Sequence, residues 1–460
     1  MIRNIKLHKK YTAFLCIILL VFLSIGYAIV LYAKKPKPNI IFITLDALRA
    51  DHLGCYGYKR NTSPNIDSLA AKGTLFRQAI SQATWTTASV SSIITSLYPN
   101  HELREAVYSL SPQDDNLIRL LKNKGYATAL FTNAYPILNN TFCNIKDDFD
   151  MFHISQVKAD KMITLVNNWL YGNSEKPFFL WVYLYDTHGP YDAPPSYFSG
   201  FLSDNLYPNK NVSITGHEEM QNDYYSFKTL PRYVAENGVT DTSYYIAKYD
   251  GGIKFADEQI SRLLNALRDK KLENNTLLIL FSDHGESLTE HNLYFNHSHF
   301  LYEDLIRVPL LIIFPDKLPK KVVNQQVQLI DIFPTIMDIL GIKNNKNIEG
   351  KSLLPLIKGS PSQLDAYAFS ETLYYPSPSC IRTEDWKLIY NRKKENYELY
   401  NLKEDPGELY NLIKEREEIA NSLKSKLDNW SKTAGTNSLS SKDYLPSEES
   451  EKLKSLGYLQ

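Results

Sequence analysis

Three aspartates lie at positions where a protein of alternating strands and helices would bind a ligand. Asp46, Asp186 and Asp283 each end, or directly follow, a short apolar run of the kind that forms a buried strand. The carboxyl ends of parallel strands lie at one edge of a sheet, and α/β proteins bind ligands beyond that edge. A single aspartate there is as often a turn residue, but three together, two with a histidine close behind, indicate a ligand site.

Histidines concentrate near the same predicted strand ends. Of the ten in the chain, four fall in one stretch, at His284, His291, His297 and His299. His188 comes two residues after Asp186, and Asp283 is adjacent to His284. A carboxylate oxygen and an imidazole nitrogen side by side can bind one divalent cation. The alternative interpretation is a histidine-rich surface loop.

Hydroxyl side chains crowd a predicted helix N-terminus at Thr86. Residues 84–92 read TWTTASVSS and lead into an apolar stretch. The backbone N–H groups and the positive dipole end of a helix N-terminus suit a phosphate or sulfate group. A hydroxyl beside a divalent cation loses its proton more easily and becomes a nucleophile. These residues could equally be an N-cap and small packing residues, and residue types alone do not decide between the two.

The elements around these residues alternate between strand and helix, which predicts an α/β fold with a largely parallel sheet. Apolar runs predict strands at 39–46, 127–132, 177–186, 276–282 and 308–314. Capping residues and apolar spacing predict helices that begin near Ser63, Thr86, Asp114, Ile253 and Leu329. Residues 198–240 lack a clear period and are interpreted as a long surface excursion.

The character of the sequence changes near Gly341. A polar stretch at 343–347 predicts a linker, and the residues after it predict four short strands, at 367–371, 379–383, 387–390 and 397–400, before a charged helix. This pattern predicts a small C-terminal antiparallel α+β subdomain at 345–435. A polar tail at 436–460 follows it.

The N-terminus carries an apolar segment, 11–33, that contains no charged residue. A helix of this length can cross roughly 30 Å of hydrocarbon, and the basic residues that flank it weakly favour an N-inside orientation. A cleaved signal peptide is the alternative, but its apolar stretch would be shorter and a small-residue cleavage site would follow. We expect residues 1–37 to form a cytoplasmic N-terminus and one transmembrane helix. Residues 38–344 would then form a catalytic domain outside the cytoplasm, periplasmic or extracellular.

The composition excludes several classes of protein. The 51 Lys and Arg residues balance 51 Asp and Glu residues, and hydrophobic residues make up 43% of the 460 residues. These are globular proportions, and a zero net charge argues against a nucleic-acid partner. The four cysteines include no CxxC pair, so neither a disulfide framework nor a zinc–thiolate site is expected.

Four longer segments carry motifs that occur together in one enzyme family. They are NIIFITLDALRADHLGCYGY at 39–58, TWTTASVSSIITSLYP at 84–99, YDTHGPYDAPP at 185–195 and FSDHGESLTEHNLYFNHSHFLYEDLIRVPLLIIFP at 281–315. In this order they resemble the sulfatase family of the alkaline-phosphatase superfamily. The resemblance implies a mixed central sheet between helices, a small antiparallel sheet near the C-terminus, and a metal-dependent hydrolase or transferase of sulfate or phosphate esters.

By position, the resemblance implies that Asp46, Asp283 and His284 are metal ligands, with Thr86 as a further ligand. Ala47 stands where the family has a second aspartate, which removes one oxygen ligand. His284 stands where calcium-binding sulfatases often have asparagine, and an imidazole shifts the preference from calcium towards zinc or manganese. We therefore expect a divalent cation, with Zn²⁺ or Mn²⁺ favoured over Ca²⁺.

The resemblance also implies that Thr86 is the nucleophile. The family's cysteine or serine at this place is converted to formylglycine, but a β-branched threonine cannot give that aldehyde, so no formylglycine is expected. Ala88 and Val90 replace the proline and arginine of the family's motif. A cation expected beside the nucleophile is therefore missing.

The remaining candidate residues concern the substrate. The resemblance implies that His188 and His297 lie near the anionic oxygens of the substrate or its leaving group, as catalytic residues. His299 and Lys387 are candidates for substrate binding. The family often has a basic residue near Lys387, and an ordinary surface lysine is the alternative.

Three functions remain open on this sequence. The first is a membrane-anchored, metal-dependent enzyme that cleaves sulfate or phosphate esters of a glycan or lipid through Thr86. Threonine at the nucleophile position also resembles phosphoethanolamine and phosphoglycerol transferases of envelope lipids or glycans. The third is a catalytically degenerate binding protein, which Ala47, Ala88 and Val90 favour and the retained Asp, Thr and His residues oppose.

Overall fold

The computed structural model describes Ile18 and residues 37–433, apart from 100–115, 135–144, 205, 215–228, 237, 344–347, 361–363, 373–377 and 393. The predicted polar tail lies outside the described residues, as does the predicted membrane anchor except for Ile18. Among the helices that are described, none combines the length and the apolar composition needed to cross a bilayer. The anchor stays a prediction.

An eight-stranded sheet forms the centre of the compact unit that begins at Asn39. Its strands are β1 (Asn39–Leu45), β2 (Thr74–Ile80), β3 (Ala127–Thr132), β4 (Met151–Ile154), β5 (Phe178–Leu184), β6 (Thr276–Phe281), β7 (Arg307–Ile313) and β8 (Lys321–Gln328). Their order is β4-β3-β5-β1-β6-β7-β2-β8, and β7 alone within this described sheet is antiparallel to its neighbours. The predicted mixed, mostly parallel sheet is confirmed.

Strand β1 lies at the centre of this sheet and is buried along its whole length. It pairs in parallel with β5 on one side and β6 on the other, so the ends of these three strands lie together. On one face, the ring of Phe42 makes edge-to-face contacts with Phe179, Trp181 and Phe281, at centroid distances of 5.1, 5.5 and 5.2 Å. Each such contact stabilises by about 0.5–1.5 kcal/mol beyond area burial, which holds the three strands in register.

Helices cover both faces of the sheet. The described α-helices are α1 (Pro64–Ala70), α2 (Thr86–Thr95), α3 (Leu117–Asn123), α4 (Ala159–Asn173), α5 (Pro195–Phe198), α6 (Thr242–Asp269), α7 (Glu303–Ile306), α8 (Ile332–Leu340), α9 (Leu354–Ile357) and α10 (Glu417–Thr433). Helices α2, α3, α8 and α9 share a hydrophobic core with one sheet face. Helices α1, α4 and α6 share a second core with the other face. The result is the helix–sheet–helix layering expected of an α/β fold.

Helix α6 is longer than the sequence predicts. Apolar spacing indicates a helix from Ile253, whereas α6 begins at Thr242 and continues through the pair Gly251 and Gly252. Two glycines ordinarily favour a helix end, which is why the sequence reading starts too late. A Cβ atom at Gly252 would collide with the backbone oxygen of Asp186. The glycine therefore lets α6 pass directly against the loop that follows β5.

A four-stranded antiparallel sheet follows the main sheet in the chain. Its strands are β9 (Ala368–Glu371), β10 (Ser379–Arg382), β11 (Trp386–Asn391) and β12 (Asn396–Asn401), in the order β12-β11-β10-β9. Trp430 of α10 stacks on Phe369 of β9 at a centroid distance of 4.8 Å, and Tyr98 contacts Trp430 edge-on. The predicted small C-terminal antiparallel sheet is confirmed. The boundaries 345 and 435 proposed for a subdomain stay predictions.

Candidate active site

Two neighbouring strand ends bring three potential metal ligands together. Asp46 follows β1, and Asp283 and His284 follow β6 after a single residue, Ser282. Nε2 of His284 lies 3.5 Å from Oδ1 of Asp46 and 3.4 Å from Oδ2 of Asp283. All three side chains are fully buried. The parallel pairing of β1 with β6 thus produces the cluster that the sequence predicts.

The polar atoms of this cluster fit a divalent cation. Both carboxylate oxygens of Asp46 and Oδ1 of Asp283 have no hydrogen-bond partner among the described residues, although buried oxygens are nearly always paired. One ligand atom from each of Asp46, Asp283 and His284 can be chosen so that all three lie within 4.8 Å of one another. Burial, followed by the nearby Asp283 carboxylate, raises the pKa of Asp46 well above its usual range. A cation would relieve both the missing contacts and the repulsion between the two carboxylates.

Hydrogen bonds to the backbone hold the loop after β1 against the loop after β6. The hydroxyl of Ser282 accepts a hydrogen bond from Leu48 N at 2.9 Å and lies 2.7 Å from the carbonyl oxygens of both Leu45 and His284. The hydroxyl of Tyr249, from α6, donates to the carbonyl oxygen of Ala47 at 2.9 Å. The φ angle of Ala47 is 56°, in the left-handed region that favours glycine. Neighbouring groups therefore fix an unfavourable backbone conformation beside Asp46.

Thr86 is the first residue of α2, and its hydroxyl faces the ligand cluster. Its Oγ1 lies 3.2 Å from Nε2 of His284, and Trp85 supplies an extended N-cap residue without a side-chain cap. Ser89, one turn later, donates to the carbonyl oxygen of Asp283 at 2.7 Å. The residues of this hydroxyl-rich segment thus differ in their surroundings, and the role of Thr86 as nucleophile stays a prediction. Ser89 packs α2 against the strand end, and Thr86 points to the candidate cation site.

Two further histidines lie in a row with His284, with tilted and edge-on ring contacts. The ring centroid of His297 lies 4.5 Å from that of His284 and 4.9 Å from that of His188. Nδ1 of His188 lies 2.8 Å from the carbonyl oxygen of Gly189. Burial, followed by neighbouring imidazoles, holds the pKa of both His188 and His297 well below the usual range. His299 lies one step further out, with its Nδ1 3.2 Å from the carbonyl oxygen of His297.

Sequence reasoning overlooked Glu286. This residue is fully buried, and its Oε1 lies 3.1 Å from Nδ1 of His297. Burial raises the pKa of Glu286 to about 8. The available signal was its place in the motif Asp283-His284-Gly285-Glu286, directly after the two ligands that the sequence did indicate.

Two candidates from the sequence do not face the cluster. The carboxylate of Asp186 accepts hydrogen bonds from Nδ2 of Asn133 and from the backbone N–H of Ala159 at the start of α4, so it has the structural role of a helix cap. Nζ of Lys387, in β11, is fully buried and lies 3.2 Å from Oε1 of Glu303 and 2.5 Å from Oε1 of Glu408. This ion pairing gives no support to a substrate-binding role for Lys387, which stays a prediction.

The structure combines an α/β fold with a helix N-terminus beside a candidate cation site. Residues 38–342 match the family model "Sulfatase", and residues 289–433 match the model "N-sulphoglucosamine sulphohydrolase, C-terminal". The chain therefore belongs to the sulfatase family. The predicted assignment as a sulfuric ester hydrolase is confirmed. The prediction that Thr86 is the nucleophile is not tested by these family matches.

Curated relatives agree with this membership. An arylsulfatase of Clostridium perfringens is 27% identical, and the match covers 73% of this chain and 81% of that protein. An N-acetylglucosamine-6-O-sulfatase of Bacteroides thetaiotaomicron is 24% identical, and the match covers 78% of this chain and 79% of that protein.

Solved structures show the same fold. A protein solved in complex with its substrate D-glucosamine-2-N,6-O-disulfate has a TM-score of 0.73 and 22% identity, with 88% of this chain and all of that chain (100%) covered. The phosphonate monoester hydrolase of Agrobacterium radiobacter has a TM-score of 0.71 and 21% identity, with 87% and 96% covered. At these identities the likeness concerns the fold. The predicted sulfatase-like α/β fold is confirmed.

Proposed function

We propose that this chain is a metal-dependent hydrolase of sulfate esters in which Thr86 is the nucleophile. The observation that carries the proposal is the position of the Thr86 hydroxyl. It begins α2, where backbone N–H groups lack partners within the helix, and it lies 3.2 Å from Nε2 of His284. An anionic ester bound at this helix end would place its central atom next to the hydroxyl.

The donor set of Asp46, Asp283 and His284 would hold the cation, and the imidazole favours Zn²⁺ or Mn²⁺ over Ca²⁺. A bound divalent cation supplies positive charge that lowers the pKa of an adjacent hydroxyl and offsets the charge of the ester oxygens. The residues themselves fix the position of Thr86, because all four side chains are fully buried.

In the proposed reaction, the Thr86 hydroxyl loses its proton while a histidine takes one up, and Oγ1 then attacks the sulfur atom and forms a new O–S bond. The bond from sulfur to the leaving alcohol breaks, and His188 or His297 gives a proton to that oxygen. Water then hydrolyses the sulfate ester on Thr86 and restores the hydroxyl. Since threonine cannot form the formylglycine aldehyde, the hydroxyl itself must act as the nucleophile.

The relatives support a sulfated glycan as the substrate class. They include an N-acetylglucosamine-6-O-sulfatase, and the structure of one neighbour contains a disulfated glucosamine. The proposed substrate is therefore a sulfate ester of a sugar. Its alcohol portion would be a poor leaving group, so protonation by a histidine would contribute strongly to the rate.

A specific observation favours phosphate esters as a second candidate, with hydrolysis or transfer to an acceptor hydroxyl. Threonine replaces the residue that sulfatases convert to formylglycine, and Val90 removes the basic partner expected beside it. Threonine at this position resembles the phosphoethanolamine and phosphoglycerol transferases. The likeness in fold to a phosphonate monoester hydrolase is compatible with this chemistry.

We also propose that residues 11–33 anchor the chain in a membrane with the catalytic domain outside the cytoplasm. The support is the uncharged apolar run and its basic flanks. Extraction tests the proposal: full-length protein should resist carbonate extraction of membranes, and a chain that starts at residue 38 should be released. Release of both forms would contradict it.

Activity of the detergent-solubilised full-length chain tests the central proposal. Wild type should hydrolyse nitrophenyl sulfate or a nitrophenyl phosphodiester in the presence of Zn²⁺ or Mn²⁺. Thr86→Ala should abolish turnover, and Thr86→Ser, which keeps the hydroxyl, should retain it. Unchanged turnover in Thr86→Ala would refute the assignment. Wild-type protein that neither turns over these esters nor binds a divalent cation would favour the degenerate binding protein.

A further inference from the structure

Glu286 has a buried carboxylate that the proposed reaction does not yet use. The residue is fully buried, and its Oε1 lies 3.1 Å from Nδ1 of His297. Its other oxygen, Oε2, has no hydrogen-bond partner among the described residues. The nearest guanidinium, of Arg49, pairs instead with the carboxylates of Asp51 and Glu290. Burying an acid without a cationic partner costs free energy of folding. We therefore looked for a function that this carboxyl group could have.

The loop between Glu286 and His297 folds back to make this contact. Ser287 and Asn296 exchange two backbone hydrogen bonds, N–H to oxygen, at 3.0 and 3.2 Å. This closure brings the residue before Ser287 next to the residue after Asn296. The backbone of the loop therefore holds Glu286 and His297 next to each other.

We propose that Glu286 is the positioning residue for His297, and that its hydrogen bond at Nδ1 assigns proton transfer to Nε2 of the same ring. The inference rests on the proposed function, in which a histidine protonates the leaving oxygen. One ring nitrogen held by a carboxyl group fixes both the tautomer and the orientation of an imidazole. The ring then stays against those of His284 and His188, at 4.5 and 4.9 Å.

The step balances within the site. Before the bond changes, the Thr86 hydroxyl loses its proton and His297 takes one up, so that both nitrogens of its ring carry a proton. The bond between Thr86 Oγ1 and sulfur then forms, the bond from sulfur to the leaving oxygen breaks, and its electron pair stays on that oxygen. The Nε2 proton of His297 moves to the leaving oxygen. The water that later hydrolyses the threonine ester returns a proton to Nε2. Glu286 touches none of the reacting atoms and acts through His297.

The dependence of kcat on the leaving group separates a positioning role from a structural one. A lost proton donor slows esters of poor leaving groups more than esters of good ones, whereas a general loss of folded enzyme slows both equally. We would measure kcat for nitrophenyl and phenyl sulfates with wild type, Glu286→Gln, His297→Asn and the double variant. Asp257→Asn is the matched control, because it also neutralises a buried carboxylate, one that caps α1 at Ile66 N.

Glu286→Gln should lower kcat for the phenyl ester at least about 30-fold and for the nitrophenyl ester by about threefold or less, in line with general acid contributions of about 10²–10⁴. The double variant should be no slower than His297→Asn, since the two residues act as a unit. Bound zinc per chain should stay at the wild-type value. Asp257→Asn should leave kcat unchanged for both esters.

Each contrary result points to a different error. Equal losses on both esters, additive losses in the double variant, or loss of zinc from Glu286→Gln would overturn the positioning role. A leaving-group effect in Glu286→Gln but none in His297→Asn would also overturn it. If neither single variant shows the effect while Thr86→Ala is inactive, the histidine step of the proposed function is wrong. If Glu286→Gln does not fold, Glu286→Asp replaces it, and failure of both to fold would make Glu286 a structural residue.

Discussion

The hydroxyl oxygen of Thr86 lies 3.2 Å from Nε2 of His284. Thr86 is the first residue of α2, and His284 follows the end of β6. The two residues are 198 positions apart in the chain, and the sheet brings them together. Ser89 holds this arrangement, because its hydroxyl donates to the carbonyl oxygen of Asp283 at 2.7 Å. A hydroxyl, a helix N-terminus and a candidate cation site thus lie together in one buried region.

Asp46→Asn should stabilise the metal-free protein and weaken its binding of zinc. The variant removes one of two neighbouring buried carboxylates, so we expect the metal-free protein to unfold at a higher temperature than wild type. Its stabilisation by zinc should be much smaller than the approximately 2.7 kcal/mol expected of wild type at 100 times Kd. Thermal unfolding with and without zinc checks both. A metal-dependent rise in Tm equal to that of wild type would contradict the assignment of Asp46 as a ligand.

Lys387→Met should reduce stability and leave substrate binding unchanged. The ammonium of Lys387 is buried between Glu303 and Glu408, so its removal leaves two buried carboxylates close together. Breaking a buried ion pair from one side costs about 3–5 kcal/mol. Denaturant unfolding measures the loss, with the exposed Lys358→Met as control. A raised KM with unchanged stability would instead support the substrate-binding role.

Gly252→Ala should destabilise the protein by about 1–3 kcal/mol. A Cβ there would meet the backbone oxygen of Asp186, and a well-packed site resists such overpacking. Gly172→Ala in α4 is the matched control, since its Cβ would have no neighbour within 4 Å and alanine is the better helix former by about 1 kcal/mol. Urea unfolding should show opposite signs for the two variants; equal effects would contradict the close approach of α6 to the β5 loop.

Asp331 should make stability depend on pH. Burial raises the pKa of Asp331 to about 7, although its oxygens accept hydrogen bonds from the backbone N–H groups of Gln328 and Lys351. The folded state holds the proton of Asp331 more tightly than the unfolded state does, so the bound proton stabilises the fold. This stabilisation is complete below about pH 4 and is lost as the pH rises through 7. Its size is about 1.4 kcal/mol per unit of pKa difference between the two states. The slope of unfolding free energy against pH between 4 and 7 should become less negative in Asp331→Asn. The exposed Asp338→Asn, on helix α8 that follows Asp331, should keep the wild-type slope, and an unchanged slope in Asp331→Asn would contradict the assignment.

Local sequence features predicted much of this site because the acids sit at strand ends. Apolar runs located β1 and β6, and parallel pairing then requires Asp46, Asp283 and His284 to converge. The start of α2 at Thr86 followed from its hydroxyl-rich N-terminus. In each case the relevant signal lies within a few residues of the functional side chain.

Contacts between distant segments escaped the sequence reading. Strand β8 reads KVVNQQVQ, and its polar residues do not form an apolar run because it lies at the sheet edge. In α6, Gly251 lies against Phe198 and Gly252 lies against the backbone of Asp186, and both neighbours are distant in sequence. Lys387 of β11 pairs with Glu303 of α7, which is 84 positions away in the sequence. Such partners are set by tertiary packing, and neither spacing nor residue type reveals them.

Accurate mass measurement of an acid-quenched reaction tests the central claim most directly. Wild-type protein mixed with excess sulfate ester should carry one sulfate group on the peptide that contains Thr86, and Thr86→Ala should carry none. A phosphoryl adduct at Thr86 from a phosphate ester, without a sulfate adduct, would support the second candidate function. Turnover without any adduct at Thr86, or an adduct on another residue such as Ser89, would contradict the account.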